Sequence, residues 1–311
     1  MTRDAFARLE RTINGVFLGK ARVVRLVLTS FFAGGHVLLE DVPGVGKTLL
    51  ARTLARAVDA DFGRIQCTPD LLPADMLGTS VFHQASGEFE FKPGPVFRNV
   101  ILVDEINRTT PRTQSALLEA MNEASVSLDG VTHELPAPFA VLATQNPHEF
   151  EGTYPLPESQ LDRFLMRLTV GYPARADEER MLEEQRTGYP LDDVRPVLSR
   201  EEAVGLQRDA RRVRFDDSLR SYLLDVVEAT RRHSRIHIGI SPRGALALQR
   251  AAQTHAFLDG RDYVVPDDVK GLAVPTLAHR LVPAGVVPGD PGSGVRKRLL
   301  EEVLAEIEVP L

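Results

Sequence analysis

The feature that most restricts the fold of this chain is a glycine-rich turn between an apolar strand and a helix. Leu38-Leu39-Glu40 leads into the turn, which has the sequence Asp41, Val42, Pro43, Gly44, Val45, Gly46 and continues into Lys47, Thr48, Leu49. Backbone N–H groups of such a turn and of the following helix N-terminus surround phosphate groups. The lysine at the end of such a turn contacts the β- and γ-phosphates, and the threonine hydroxyl binds Mg²⁺. The sequence therefore predicts a P-loop in which residues 41–49 contact a nucleotide, although Asp41 replaces the first glycine of the usual pattern.

An acidic pair follows a second apolar strand, Val100 to Val103. Asp104 and Glu105 lie at its carboxyl end, which is where a P-loop protein places its metal-binding carboxylate and its catalytic base. We expect Asp104 to hold Mg²⁺, largely through water, together with Thr48. We expect Glu105 to orient and deprotonate the attacking water.

Three further residues complete the predicted catalytic set. Asn146 follows the apolar run Phe139 to Ala143, and its neutral amide can hydrogen-bond both the γ-phosphate and the attacking water. Arg163, between a short helix and the last apolar strand, faces away from its own P-loop and is suited to the γ-phosphate of a neighbouring subunit. Arg243 begins a helix capped by Ser241 and is a candidate for reporting whether phosphates are present.

Short apolar runs alternate with helical stretches up to about residue 170, which predicts an α/β fold around a parallel sheet. The strand candidates are 37–39, 63–66, 100–103, 139–143 and 164–170, and β-hairpins are predicted near 80–91 and 126–135, the second from Asp129-Gly130. From 171 onward the pattern is helical. We therefore expect a nucleotide-binding core over 1–170 and a smaller all-α lid domain over 171–311.

Composition narrows the range of functions. A formal net charge of −6 disfavours bulk nucleic-acid binding, and the single cysteine, Cys67, excludes an internal disulfide and fits a reducing cytoplasm. The chain contains no apolar segment long enough to span a membrane. The sequence predicts a cytoplasmic protein.

Taken together, these motifs identify the chain as similar to the AAA+ ATPases, and specifically to the MoxR family. The family-specific stretches are 64–73, 104–108, 116–121 and 143–147. The resemblance implies that the Asn146 strand lies between the P-loop strand and the Asp104 strand, that the first hairpin interrupts the second core helix, and that a lid carries Arg243. It also implies a hexameric ring with ATP between subunits, where Leu18 and Gly19 face adenine. The implied activity is chaperone-like remodelling of a partner protein, often one with a von Willebrand factor A domain.

Three other functions share parts of this layout. A magnesium-chelatase-like motor subunit would use the same residues for metal insertion through a partner. A DNA-acting helicase-type motor should present basic hairpins, yet 126–135 has no Lys or Arg and the first hairpin offers only Lys92. A nucleotide-binding scaffold without turnover is disfavoured because Glu105, Asn146 and Arg163 occur together. Whether Arg243 acts on its own nucleotide or an adjacent one stays open from sequence.

Overall fold

Helices and strands alternate along the first half of the chain, and helices dominate the second. The computed structural model describes residues 2–85, 87–147, 152–184, 186, 188, 190–285 and 293–310. The strands are β1 (Val37–Glu40), β2 (Phe62–Gln66), β3 (Gly78–His83), β4 (Glu88–Pro93), β5 (Val100–Asp104), β6 (Ser125–Leu128), β7 (Val131–Glu134), β8 (Ala140–Gln145), β9 (Met166–Leu168), β10 (Ile236–Ile238) and β11 (Val282–Pro283). The helices are α1 (Thr2–Val16), α2 (Ala21–Phe32), α3 (Lys47–Ala57), α4 (Pro73–Leu77), α5 (Pro111–Glu123), α6 (Glu158–Leu161), α7 (Arg175–Glu184), α8 (Arg200–Ala210), α9 (Asp217–Arg232), α10 (Pro242–Leu258), α11 (Pro266–Leu277) and α12 (Ser293–Glu306). Short 3-10 turns cover Ile106–Arg108, Pro190–Asp193 and Ala278–Arg280.

The central sheet has five parallel strands in the order β2-β5-β8-β1-β9. All five strands predicted from the apolar runs are present, and the predicted position of the Asn146 strand between the P-loop strand and the Asp104 strand is confirmed. The middle strands are buried along nearly their whole length, as expected for a sheet with helices on both faces. Because the strands are parallel, the residues that follow β1, β5 and β8 meet at one edge of the sheet.

Both predicted hairpins are present, and they contact each other. The rings of Phe91 and His133 stack with centroids 3.9 Å apart, and Ser80 Oγ donates a hydrogen bond to Asp129 Oδ2 at 2.6 Å. Asp129 and Gly130 both have positive φ, at 51° and 79°, as the Asp-Gly turn requires. The two hairpins therefore form one unit beside the sheet. Ser86, which the sequence placed in the first turn, lies outside the described residues.

The first hairpin does not interrupt a long helix, so that expectation was wrong. It follows the five-residue α4, and no helix resumes over residues 94–99 before β5. Pro95 disfavours helical continuation, and Gly94 crosses Met76 so closely that a Cβ on Gly94 would lie 2.2 Å from the Met76 carbonyl oxygen.

One apolar core extends from the P-loop helix α3 into the C-terminal helices. The two N-terminal helices connect these regions: the Phe6 ring lies 5.0 Å from Phe32 on α2 and 5.4 Å from Phe257 on α10, both edge to face. The boundary near residue 171 stays a prediction, because the packing is continuous across it. Within the described ranges, no helix has the length and apolarity needed to cross a membrane.

Candidate nucleotide-binding site

The P-loop joins β1 to α3 through two glycines in the left-handed region, Gly44 with φ 85° and Gly46 with φ 86°. Other residues adopt this backbone only with strain. Lys47 Nζ donates a hydrogen bond back to the Asp41 carbonyl oxygen at 2.8 Å, so the ammonium group lies across the loop. Burial lowers the pKa of Lys47, and the nearby carboxylates of Asp41, Asp104 and Glu105 partly offset that effect. The predicted lysine and acidic pair are thus brought together at one edge of the sheet.

The Asp41 side chain has a structural role at the start of the P-loop. Its carboxylate is buried. Oδ1 accepts a hydrogen bond from the Val42 N–H at 2.8 Å, and Oδ2 accepts from the Val170 N–H at 2.7 Å and from the Gly171 N–H. These bonds fasten the start of the P-loop to the chain that leaves β9. The Asp41 side chain thus anchors the loop, and a nucleotide contact at this position stays a prediction.

Side chains of β2 and of the 3-10 turn after β5 hold the acidic pair. Asp104 Oδ2 accepts a hydrogen bond from Arg64 Nε at 2.7 Å. Glu105 Oε2 accepts from Gln66 Nε2 at 3.2 Å and from Arg108 Nη1 at 2.9 Å. Both carboxylates thus have fixed directions before any ligand binds.

The backbone of Glu105 is also constrained. Its φ is 56°, which costs a non-glycine residue about 1–3 kcal/mol. Its N–H donates to Thr144 Oγ1 at 2.9 Å, and the same hydroxyl lies 3.4 Å from Asp104 Oδ1. Sequence reasoning missed Gln66, Arg108 and Thr144. The available signal was position, because Gln66 ends β2 and Thr144 is close to the end of β8.

The donor set suits Mg²⁺. Thr48 follows Lys47 at the start of α3 and Asp104 ends β5, so a hydroxyl and a carboxylate oxygen are available at the same edge of the sheet. Mg²⁺ prefers hard oxygen ligands and retains several waters. Thr48 and Asp104 would hold the ion, and their predicted metal role remains compatible with the structure.

Asn146 lies where its predicted role requires. It directly follows β8, which pairs with both β1 and β5, and its side chain is partly buried. The preceding Gln145 donates through Nε2 to Glu40 Oε1 at 2.5 Å, and Glu40 also accepts from Arg167 Nε at 2.8 Å. This buried network joins the last residues of β1 and β8 to β9. The sensing role of Asn146 itself stays a prediction.

A cavity of about 420 Å³ opens beside the P-loop and is suited to a flat, partly apolar group such as a nucleobase. The predicted Leu18 lines it. Gly19 does not; with φ 72°, it instead lets α7 approach so closely that a Cβ on Gly19 would lie 2.2 Å from Asp177 Oδ2. The other lining residues are Val16, Phe17, Lys20, Gly44, Val45, Gly46, Leu49, Tyr172, Pro173, Glu178, Met181 and Leu182. Sequence reasoning missed the contribution of 172–182 because no local pattern indicates that α7 returns to the P-loop.

The two predicted arginines lie together against α5, and neither lines the cavity beside the P-loop. Arg163 Nη1 donates to the Leu118 carbonyl oxygen at 2.7 Å. Arg243 Nη2 donates to Asn122 Oδ1, one helical turn further along, at 2.6 Å. Arg243 Nε also lies 3.9 Å from Asp162 Oδ2, the carboxylate adjacent to Arg163. Arg243 thus lies with Arg163 and not at the cavity beside the P-loop. The residues that line the cavity after position 172 belong to α7 and the segment before it.

Comparison with known proteins agrees with this layout. Residues 36–166 match the family model described as "ATPase family associated with various cellular activities (AAA)", and residues 228–299 match "AAA lid domain". The chain is 49% identical to Uncharacterized protein YeaC of Bacillus subtilis, over 96% of this chain and 93% of that protein. It is 43% identical to Chaperone MoxR1 of Mycobacterium tuberculosis, over 88% of this chain and 75% of that one. A crystal structure from Cytophaga hutchinsonii, provisionally assigned as an ATPase, superposes with TM-score 0.88 at 37% identity, covering 100% of this chain and 96% of that one. The chain belongs to the MoxR family of AAA+ ATPases.

Proposed function

We propose that this protein hydrolyses ATP with Mg²⁺ at sites between the subunits of a ring, a hexamer by family resemblance, and uses that cycle to remodel a partner protein. The observation that supports the proposal is that two groups of candidate residues on one chain have different partners, and that neither arginine lines the cavity beside the P-loop. Lys47, Asp104 and Glu105 meet at the edge of the sheet, whereas Arg163 and Arg243 are grouped against α5. A second copy of the chain is the natural source of the missing half.

Lys47 and the P-loop N–H groups bind the phosphates, and Lys47 exchanges its bond to the Asp41 carbonyl for a phosphate oxygen. Glu105 accepts the proton of the attacking water. Gln66 and Arg108 both donate to Oε2 of this carboxylate, so Oε1 is the oxygen that we expect to accept the proton. Asn146 orients the water and the γ-phosphate. When bound, Mg²⁺ neutralises charge on the phosphate oxygens.

Both arginines serve the neighbouring subunit in this proposal. Their acceptors, Leu118 and Asn122, lie on consecutive turns of α5, so we expect the two arginines to approach the same phosphate of the neighbouring subunit together. An arginine delivered in this way accelerates phosphoryl transfer by about 10³–10⁵-fold, since it stabilises charge in the transition state.

The joined hairpins are the surface we assign to the client. Phe82 and Phe89 are 51% and 72% exposed, with ring centroids 5.2 Å apart. Val131 on the second hairpin is 55% exposed. Lys92 is the one Lys or Arg in β3, β4, β6 and β7, so the exposed aromatic and aliphatic side chains favour an apolar polypeptide over nucleic acid. On family resemblance, the partner is a protein with a von Willebrand factor A domain.

The substitution Glu105→Gln tests the function. The variant should bind ATP with near-normal affinity, because the P-loop is intact, and should lose nearly all turnover, because an amide cannot accept the proton. Glu119→Gln, an exposed position on α5, is the matched control and should behave as wild type. Calorimetry and phosphate release measure the two properties.

Normal turnover of Glu105→Gln would remove this residue as the base. Affinity capture with the ATP-loaded variant then identifies the partner. A remodelled protein client supports the proposal, whereas capture of a metal-insertion enzyme would favour the chelatase-like alternative.

A further inference from the structure

A buried arginine of the C-terminal region, Arg280, makes several hydrogen bonds to the segment that carries Arg163. Its Nη2 donates to the carbonyl oxygens of Asp162 and Phe164, each at 3.0 Å, and its Nε donates to Asp162 Oδ1 at 2.7 Å. Nη1 lies 3.5 Å from the Leu165 carbonyl oxygen. The guanidinium group thus contacts the backbone on both sides of Arg163.

The other end of this contact is anchored in the C-terminal helices. Arg280 Nη1 donates to the Thr276 carbonyl at the end of α11, and it lies 3.0 Å from His279 Nε2. His279 Nε2 is also 3.1 Å from the Phe164 carbonyl oxygen. The segment 162–165 is therefore joined to the end of α11 by several hydrogen bonds that share one side chain.

The same side chain packs beside the second arginine of the proposed site. Gly244, next to Arg243, faces Arg280 so closely that a Cβ on Gly244 would lie 3.1 Å from Arg280 Cδ. Asp162 accepts from Arg280 and also faces Arg243. Arg280 thus lies between the segments that carry the two arginines.

A buried guanidinium is costly to desolvate, and it is stable only where carboxylate and carbonyl groups satisfy its donors. The Arg280 side chain is 3% exposed, and burial lowers its pKa against the opposing effect of Asp162. A planar group with five fixed donors defines the geometry of its acceptors better than lysine does. The segment 162–165 is consequently set by the position of α11.

We propose that Arg280 is a positioning residue that holds Arg163 and Arg243 as one unit and moves them together with the C-terminal helices. The inference rests on the proposed intersubunit site. It adds that the arginines offered to the neighbour follow the position of α11, so a shift of the C-terminal helices in one subunit changes hydrolysis in the next.

Mixed oligomers test this role. Lys47→Ala subunits supply arginines but bind no ATP, and Arg163→Ala subunits bind ATP but supply no complete arginine pair. Each variant is inactive alone, and mixing restores turnover at sites where an Arg163→Ala subunit adjoins a Lys47→Ala subunit.

Arg280→Met is then added to one kind of subunit at a time. Restored turnover should fall about 10- to 100-fold when the change is in the arginine-supplying subunit, since a displacement of about 1 Å can cost 100-fold. It should persist when the change is in the ATP-binding subunit.

Two further variants protect the test against a general loss of folding. Arg280→Lys keeps the charge opposite Asp162 but cannot reach all the carbonyls, so its loss should be smaller and equally one-sided. Arg261→Met removes a different arginine–aspartate pair, at 2.7 Å from Asp268, and should show no dependence on which subunit carries it. Thermal unfolding and ATP affinity are measured for each variant.

Equal losses in both arrangements would show that Arg280 only stabilises the fold, and would overturn the inference while leaving the intersubunit site intact. No restored turnover on mixing Lys47→Ala with Arg163→Ala would overturn the intersubunit site and the role of Arg280 with it.

Discussion

At the residue scale, hydrogen bonds from neighbouring strands determine where the acidic pair points. Thr144 is 3% exposed, and its hydroxyl receives the Glu105 N–H while facing Asp104. Glutamate has no intrinsic preference for a positive φ. The left-handed backbone of Glu105 therefore depends on a hydrogen-bond partner of this kind. In the proposed mechanism, the hydroxyl therefore acts on catalysis through Glu105.

Thr144→Val should lower the turnover number by about 10- to 100-fold with little change in ATP affinity, since the base is displaced while the P-loop is untouched. Thr144→Ser restores the hydroxyl and should recover most of the activity. Steady-state kinetics with calorimetric binding measures both. An equal loss in the serine variant would show that the methyl group, and hence packing, is what matters.

The local part of the site was visible in the sequence. Lys47, Thr48, Asp104 and Glu105 lie in short segments whose strand, turn and helix context can be recognised directly. The anchoring role of the Asp41 side chain could not be predicted, because its partner, the Val170 N–H, lies 129 residues further along the chain. Thr144 and Gln66 act across strand pairs, which a single sequence does not specify.

At the scale of elements, α5 connects the separate parts of the site. The 3-10 turn after Glu105 precedes it, Leu118 and Asn122 on it hold the two arginines, and β6 begins two residues after it ends. His36 attaches this helix to the sheet: its Nε2 lies 2.9 Å from the Met121 carbonyl oxygen, and its Nδ1 accepts from the Val141 N–H at 3.1 Å. The ring must stay neutral to make both contacts.

Burial lowers the pKa of His36 to about 4, against a smaller opposing effect of the Met121 carbonyl. The unfolded chain therefore binds more protons between pH 6.5 and 4, and folding stability should fall as the pH drops through that window. The effect approaches 1.4 kcal/mol per pH unit and totals about 3 kcal/mol. Chemical denaturation of wild type and His36→Gln measures it as the difference between their pH profiles.

An exposed histidine is the control. His237→Gln, on β10, should keep the wild-type pH profile. A His36→Gln profile parallel to wild type between pH 6.5 and 4 would contradict the assignment of this titration to His36.

Strands and hairpins could be predicted where the sequence pattern was strong. Elements could not be predicted where contacts between distant segments determine the structure. The sheet strands and both hairpins follow from apolar runs and turn residues. The shortness of α4 depends on the close crossing of Gly94 over Met76, and the return of α7 to the P-loop depends on packing against Gly19. Neither contact leaves a periodic signal in the sequence.

At the scale of the whole molecule, one continuous core links the P-loop helix to the C-terminal helices through α1 and α2. The sequence indicated a change near residue 171 from alternating strands and helices to a helical pattern. It did not indicate that the N-terminal helices would pack on both regions. We therefore expect movements of the C-terminal helices to reach the P-loop helix through this shared core.

The most direct test of the central claim is ATP turnover per subunit during serial dilution, with the oligomeric mass measured on the same samples. Because each site needs the arginines of a neighbour, turnover per subunit should fall in step with dissociation and should be nearly absent in monomers, which still bind ATP. Constant turnover per subunit in samples shown to be monomeric would contradict the account.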